Sequence, residues 1–148
     1  MVFDKLKPTN LVGFMLKIST KSQYGLRAMV YLAKAFGKNK ICSLKEIAKK
    51  EGIPQDYLEK IVSKLRKKKL VKAKKGVKGG YLLAKNPLKV TIGEILESLE
   101  GKPKLVKCIE GFCQRSKICS AKFFWRKLNK SITSILKSVT LSDLIEKI

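Results

Sequence analysis

At 148 residues the chain has room for one domain, or for one small domain with an appended helical arm. Apolar residues make up 45% of it, enough for a core, while 34 Lys and Arg against 11 Asp and Glu leave a net charge of +23 that points to a polyanionic partner. With no histidine, no apolar run of membrane-span length and no signal-peptide pattern in MVFDKLKPTN, the composition argues against enzyme, membrane and secreted classes and for a cytoplasmic protein.

Residues 1–14 include Pro8, Asn10 and Gly13, show no clear period, and read as a flexible leader; Met15 is an equally good start. Thr20 and Gln23 have the spacing of a capping box and open a helix to about Phe36, with Tyr24, Met29, Leu32 and Phe36 among its apolar residues. Gly37 to Asn39 ends it. Cys42 stands alone and is read as a small buried apolar residue.

Ser43 and Glu46 form a second capping box, Gly52 supplies a left-handed stop, and Pro54 falls where a new helix tolerates a missing amide hydrogen. The following helix carries Leu58, Ile61, Val62 and Leu65 at helical spacing, and shows Gln55, Asp56, Glu59, Lys60, Ser63, Lys64 and Lys67 on its other face. That is the layout of a helix-turn-helix whose second helix reads the major groove.

Two short strands, Leu70 to Lys74 and Tyr81 to Ala84, then make a hairpin, with Gly76, Gly79 and Gly80 expected to take positive backbone torsions between them. From Lys60 to Gly80 there are ten Lys or Arg and no Asp or Glu. Most charge runs are solvated surface, but this one coincides with a helix-turn-helix and its wing, which points to DNA. The candidate DNA contacts are Ser43, Gln55, Asp56, Tyr57, Glu59, Lys60, Ser63, Lys64 and Lys67 on the helix pair, with Lys75, Lys78 and Gly79 on the wing.

Asn86-Pro87 breaks the chain, and Thr91 with Glu94 caps a helix carrying Ile92, Ile95, Leu96 and Leu99, stopped by Gly101 and Pro103. Cys108, Cys113 and Cys119 follow, spaced C-x4-C-x5-C in a glycine-containing loop. Thiolates drawn together there would hold a soft metal ion or an iron–sulfur cluster, with Lys107, Arg115, Lys117 and Lys122 offsetting its negative charge. The spacing is only moderately specific, since zinc sites usually pair C-x2-C units, and three plain thiols or a thiol–disulfide pair stay open beside metal binding. A long helix from about Ser120 to Ser138 repeats Ala121, Phe124, Trp125, Leu128, Ile132, Ile135, Leu136 and Val139 at three-and-four spacing, a stripe suited to dimerisation. Thr140 and Asp143 cap a last helix, Leu141 to Ile148, that folds back.

Taken together, the chain resembles the Rrf-two family of winged-helix transcription regulators, which includes IscR- and NsrR-type iron–sulfur sensors. The likeness spans about Met15 to Leu144 and is carried by LKISTKSQYGLRAMVYLA, SLKEIAKKEGIPQDYLEKIVSKLRKKKLV, the wing KKGVKGGYLLAK, VTIGEIL, the three cysteines and SVTLSDLI. It implies a mainly α fold with a small β-hairpin: a winged helix-turn-helix domain over 15–101, a cysteine loop over 102–119, and a dimerisation helix with a C-terminal helix over 120–148. It further implies a homodimer through the 120–138 helix, a DNA operator with dyad symmetry, and an iron–sulfur cluster on Cys108, Cys113 and Cys119, 2Fe-2S favoured over 4Fe-4S.

Residue by residue, Asp56, Glu59 and Lys60 fall on the family's recognition helix and Lys75 and Lys78 on its wing. Glu59 matches a glutamate that, in IscR-type members, helps decide which operators the cluster-free form accepts. Pro54 and Asp56 stand where IscR-type members carry serines, which implies a different preferred sequence. The first cysteine gap is one residue shorter than the family's. Lys122 replaces the histidine ligand of IscR-type members, and Gln23 the partner-chain aspartate of NsrR-type members, leaving Glu110, Cys42, a small thiol or water as the fourth ligand. Zinc or no metal is the fallback.

The rival reading is a sequence-tolerant structural nucleic-acid binder with non-sensory or zinc-binding thiols. An enzyme lacks support, because no nucleophile–base pair is present and GVKGGY is followed by neither Lys-Ser/Thr nor a helix. No membrane partner and no small-molecule substrate are expected.

Overall fold

The computed structural model describes residues 17–106, 108, 109, 111 and 113–147. The readings of residues 1–14, Met15, Lys107, Glu110 and Ile148 lie outside the described residues. Helix α1 (Thr20–Phe36) buries Ala28, Met29, Leu32, Ala33 and Ala35, and these form the floor on which α2 (Leu44–Glu51) and α3 (Gln55–Lys67) pack. The N-cap of α1 is Ser19, not Thr20: the Ser19 hydroxyl accepts from the Ser22 amide, and the Gln23 side chain donates to the Ile18 carbonyl at 2.9 Å instead of closing a box. Either hydroxyl residue can cap, and the one already in extended backbone does so.

Between α2 and α3 the chain turns tightly. Gly52 takes the left-handed conformation (φ 61°, ψ 42°) and its amide returns to the Ala48 carbonyl. Pro54 is the N-cap of α3, one residue earlier than expected, and its carbonyl accepts from the Leu58 amide at 2.9 Å. Leu58, Ile61, Val62 and Leu65 are fully or nearly fully buried, each worth about 1.5–3 kcal/mol relative to exposure.

Strands β1 (Val71–Lys74) and β2 (Gly80–Leu83) pair antiparallel, Val71 opposite Leu83 and Lys74 opposite Gly80. The bond from the Ala84 amide to the Leu70 carbonyl continues the pairing by one residue. On its other edge β2 is held by Cys42, which exchanges backbone hydrogen bonds with Tyr81 at 2.7 and 3.0 Å. Cys42 is buried, as expected, so the hairpin is anchored to the segment that leads into α2.

A short 3-10 turn (Pro87–Lys89) leads to α4 (Ile92–Glu100), where Thr91 and Glu94 form the expected reciprocal capping box. Helix α5 (Ala121–Ser138) follows the cysteine loop and leans on α4. Helix α6 (Leu141–Glu146), boxed by Thr140 and Asp143, returns the chain to α1 and buries Leu141. Its entry is clasped to that of α4: the Leu141 amide donates to the Val90 carbonyl and the Ile92 amide to the Val139 carbonyl, each at 2.9 Å. The result is the mainly helical winged helix-turn-helix architecture expected, with one two-stranded hairpin among the described residues. No helix among them is long and apolar enough to cross a membrane.

Candidate nucleic-acid interface and cysteine loop

Helix α3 divides its residues cleanly. Against the four buried apolar side chains, Gln55, Asp56, Glu59, Lys60, Ser63, Lys64 and Lys67 are all exposed. Two of the expected contacts also have internal work. Lys64 reaches across to α4 and donates to the Leu99 carbonyl at 3.3 Å, placing a cation at a helix C-terminus. Tyr57 is half-buried, its ring edge-on to Tyr24 at 5.7 Å between centroids. These two orient α3 on the body, whereas Gln55, Asp56, Glu59, Lys60 and Ser63 lie clear along one face.

Ser43 caps α2, its hydroxyl accepting from the Glu46 amide at 3.1 Å, so its own proton remains a donor for a phosphate. The other half of the expected box does not form. The Glu46 carboxylate is taken by Tyr31, whose hydroxyl donates to it at 2.7 Å, and by the Lys40 ammonium. Those bonds, Lys40 first, hold the Glu46 carboxyl below its ordinary range, while the same carboxylate pushes the Tyr31 phenol up. The cluster fixes the start of α2 to α1.

In the wing only Gly76 has the expected positive torsion (φ 117°). Gly79 and Gly80 are required for space instead. A Cβ on Gly79 would lie 2.3 Å from the Lys74 carbonyl oxygen, and one on Gly80 2.5 Å from that of Cys42. Lys75 and Lys78 are exposed beside a fully exposed Val77 at the tip. Lys72 and Lys74, exposed on β1 next to the buried Val71, extend the same basic rim. Sequence reasoning misses them as individual contacts, because their one signal is membership of the basic run.

Cys108, Cys113 and Cys119 are each free and half-buried. Among the described residues no three His, Cys, Asp or Glu side chains are gathered so as to hold a metal ion. The loop instead turns on itself: the Ser116 amide donates to the Cys113 carbonyl at 3.0 Å, Ile118 to Arg115 at 3.0 Å, and the Lys122 ammonium to the Ser116 carbonyl at 3.4 Å. Three thiols on one loop remain a donor set that fits a thiophilic ion or cluster in kind, and Lys122, spent on a carbonyl, is not a fourth ligand.

Comparison with known proteins agrees with this architecture. A family model described as "Rrf2: Iron-dependent Transcriptional regulator" matches residues 18–147. The HTH-type transcriptional regulator CymR of Bacillus subtilis (strain 168) is 38% identical over 129 residues, 87% of this chain and 89% of CymR. Its solved structure, titled the global cysteine regulator, superposes with a TM-score of 0.76 over 90% of this chain and 99% of that one. The HTH-type regulator IscR of Klebsiella pneumoniae (strain 342) is 30% identical over 88% of this chain and 80% of its own. The structure of T. potens IscR shares 38% identity and a TM-score of 0.75, over 91% and 90% of the two chains.

Proposed function

The chain belongs to the Rrf2 family of transcriptional regulators, and from that premise we propose that it is a cytoplasmic homodimer that reads a dyad-symmetric operator and reports cellular iron or redox chemistry through its cysteine loop. The family is not enzymatic. One observation carries the DNA-reading part: α3 keeps an uninterrupted exposed polar and basic face beside a wing rimmed by lysines. In this reading residues 15–101 bind DNA, 102–119 sense, and 120–148 pair the subunits. Lys60, Lys67, Lys75 and Lys78 engage phosphates, together with the Ser43 hydroxyl, while Gly79, whose amide donates to the Gly76 carbonyl, lets the wing backbone come close. Gln55, Asp56, Glu59 and Ser63 face base edges, where the Glu59 carboxylate accepts from cytosine and repels other acceptors.

Cys108, Cys113 and Cys119 would hold an iron–sulfur cluster, 2Fe-2S in preference to 4Fe-4S. Such a group supplies electron-transfer chemistry and sensitivity to oxidants, nitric oxide and iron shortage. The chain's own part is mechanical. The loop joins α4 to α5, so the order of the loop sets how the arm is held against the DNA-reading body, and with it the separation of the two α3 helices. For this to control transcription the two states must differ in operator binding by about 1–3 kcal/mol. The test is an absorption spectrum with iron and sulfide analysis of anaerobically purified protein, beside the triple variant Cys108→Ala, Cys113→Ala, Cys119→Ala. Visible absorbance lost in the variant, with altered operator binding, supports the cluster; a colourless, iron-free protein that still discriminates its operator refutes it.

A second reading keeps the regulator but makes the thiols themselves the sensor. The relative titled a global cysteine regulator favours it. It predicts a colourless protein whose operator binding changes on thiol oxidation and recovers on reduction.

A further inference from the structure

Helix α5 holds five Lys or Arg and no Asp or Glu in its 18 residues. At 3.6 residues per turn, Lys122, Arg126 and Lys130 fall within roughly 80° of one another, with Lys127 close beside them. Phe124, Leu128 and Ile132 run along the opposite side of the cylinder. Arg126, Lys127 and Lys130 are exposed, and none of the ion pairs among the described residues involves them. Phe123 lies on the same arc and is 75% exposed.

Pairing of two chains through the apolar side would leave this arc outward on both subunits. Lys137 falls on the same side of the helix but two turns beyond Lys130, where it lines a groove of about 610 Å³ between α4 and α5 together with Glu97 and Glu100. No residue from Lys122 to Lys130 lines that groove, so the acidic side chains of α4 that border it lie at the other end of α5. The arc also belongs to a different part of the molecule from the wing, since α5 packs on α4 while the wing is anchored through Cys42 and β2.

We propose that the Lys122–Lys130 arc of α5 is a second, sequence-independent site for the phosphate backbone of duplex DNA, so that a dimer seated on one duplex through α3 holds another against its arm. The proposal rests on the dimeric DNA-binding reading above. Arg126, Lys127 and Lys130 give three exposed cations per subunit, six per dimer, within about 6 Å along the helix, enough to meet neighbouring phosphates, and none of them pairs with a carboxylate among the described residues. Phe123 alone among the exposed aromatics lies on this arc, too little for a stacking platform, which favours duplex over single strands.

The experiment uses full-length protein, a bead-bound random-sequence duplex and a second, dye-labelled duplex. Wild type is expected to carry the labelled duplex onto the beads. The variant Arg126→Gln, Lys127→Gln, Lys130→Gln is expected to do so at least tenfold less, with single-duplex affinity changed less than threefold and the dimer intact by sedimentation. The double variant Lys127→Glu, Lys130→Glu, confined to exposed positions, serves as the second arm and should behave alike. Bridging that survives in both variants overturns the proposal, as does a parallel loss of single-duplex binding, or preferential displacement of the second duplex by single strands or anionic vesicles. A wild-type protein that binds no duplex at all would instead strike the DNA-binding reading itself.

Discussion

At the wing, Gly79 and Gly80 are needed for room, not for torsion. Gly80→Ala drives its new methyl toward the Cys42 carbonyl, a backbone atom that cannot swing aside. The expected outcome is a loss of about 1–3 kcal/mol in thermal or denaturant unfolding, with weakened DNA binding because the hairpin parts from its anchor. Glu100 offers a test by pH. Its carboxylate accepts from Ser19, which is the main cause of its lowered pKa, and also from Ser22, with Lys21 nearby, tying the start of α1 to the end of α4. A carboxyl depressed below its ordinary 4.5 in the folded protein contributes stability above that value and loses it as the pH falls through the folded pKa. Melting curves of wild type and Glu100→Gln should therefore be separated near neutral pH and converge as the pH falls through the lowered pKa of Glu100; a gap that persists in strong acid would mean the group acts through packing instead. Caps were only half legible at this scale. The sequence shows which residues can cap, but Lys40 and Tyr31, the latter fifteen positions before Glu46, together take the Glu46 carboxylate.

At the level of elements, α3 was the most legible because apolar residues at helical spacing and an exposed polar face leave one packing solution. What could not be read was which residues outside the apolar stripe have partners inside the fold: exposed Lys64 is tied to Leu99 and half-buried Tyr57 to Tyr24, both brought near by the tertiary structure. The two classes should separate in a binding series. Lys60→Gln and Lys67→Gln are expected to weaken operator and random duplex alike and to flatten the salt dependence by about 0.9 in slope for each phosphate no longer neutralised. Glu59→Gln is expected to leave that slope alone and shift preference between operators by about 1–3 kcal/mol. Lys64→Gln should instead lower the unfolding midpoint. An equal effect of all four on salt slope would mean that this face reads charge only.

Across the whole molecule, the apolar stripe of α5 was visible in the sequence, but its partner was not. No residue of α5 is buried in the single chain, and Phe124 and Ile135 are 54% and 63% exposed. A stripe of that length left open in one subunit is what a second subunit would cover. Phe124→Asp with Ile135→Asp should convert a dimer to a monomer in sedimentation and reduce operator affinity by more than tenfold, since one half-site is then held alone. The cysteine loop was legible as a donor set and not as a geometry, because spacing along a chain does not dictate where three sulfurs meet. The most direct test of the account is a chemical footprint of the full-length protein on duplexes selected from a random pool. The prediction is two major-groove segments, protected symmetrically about a dyad and spaced by a helical turn or a multiple of it, with protection lost in the α3 lysine variants. Continuous protection of any sequence, with no repeated spacing, would contradict it.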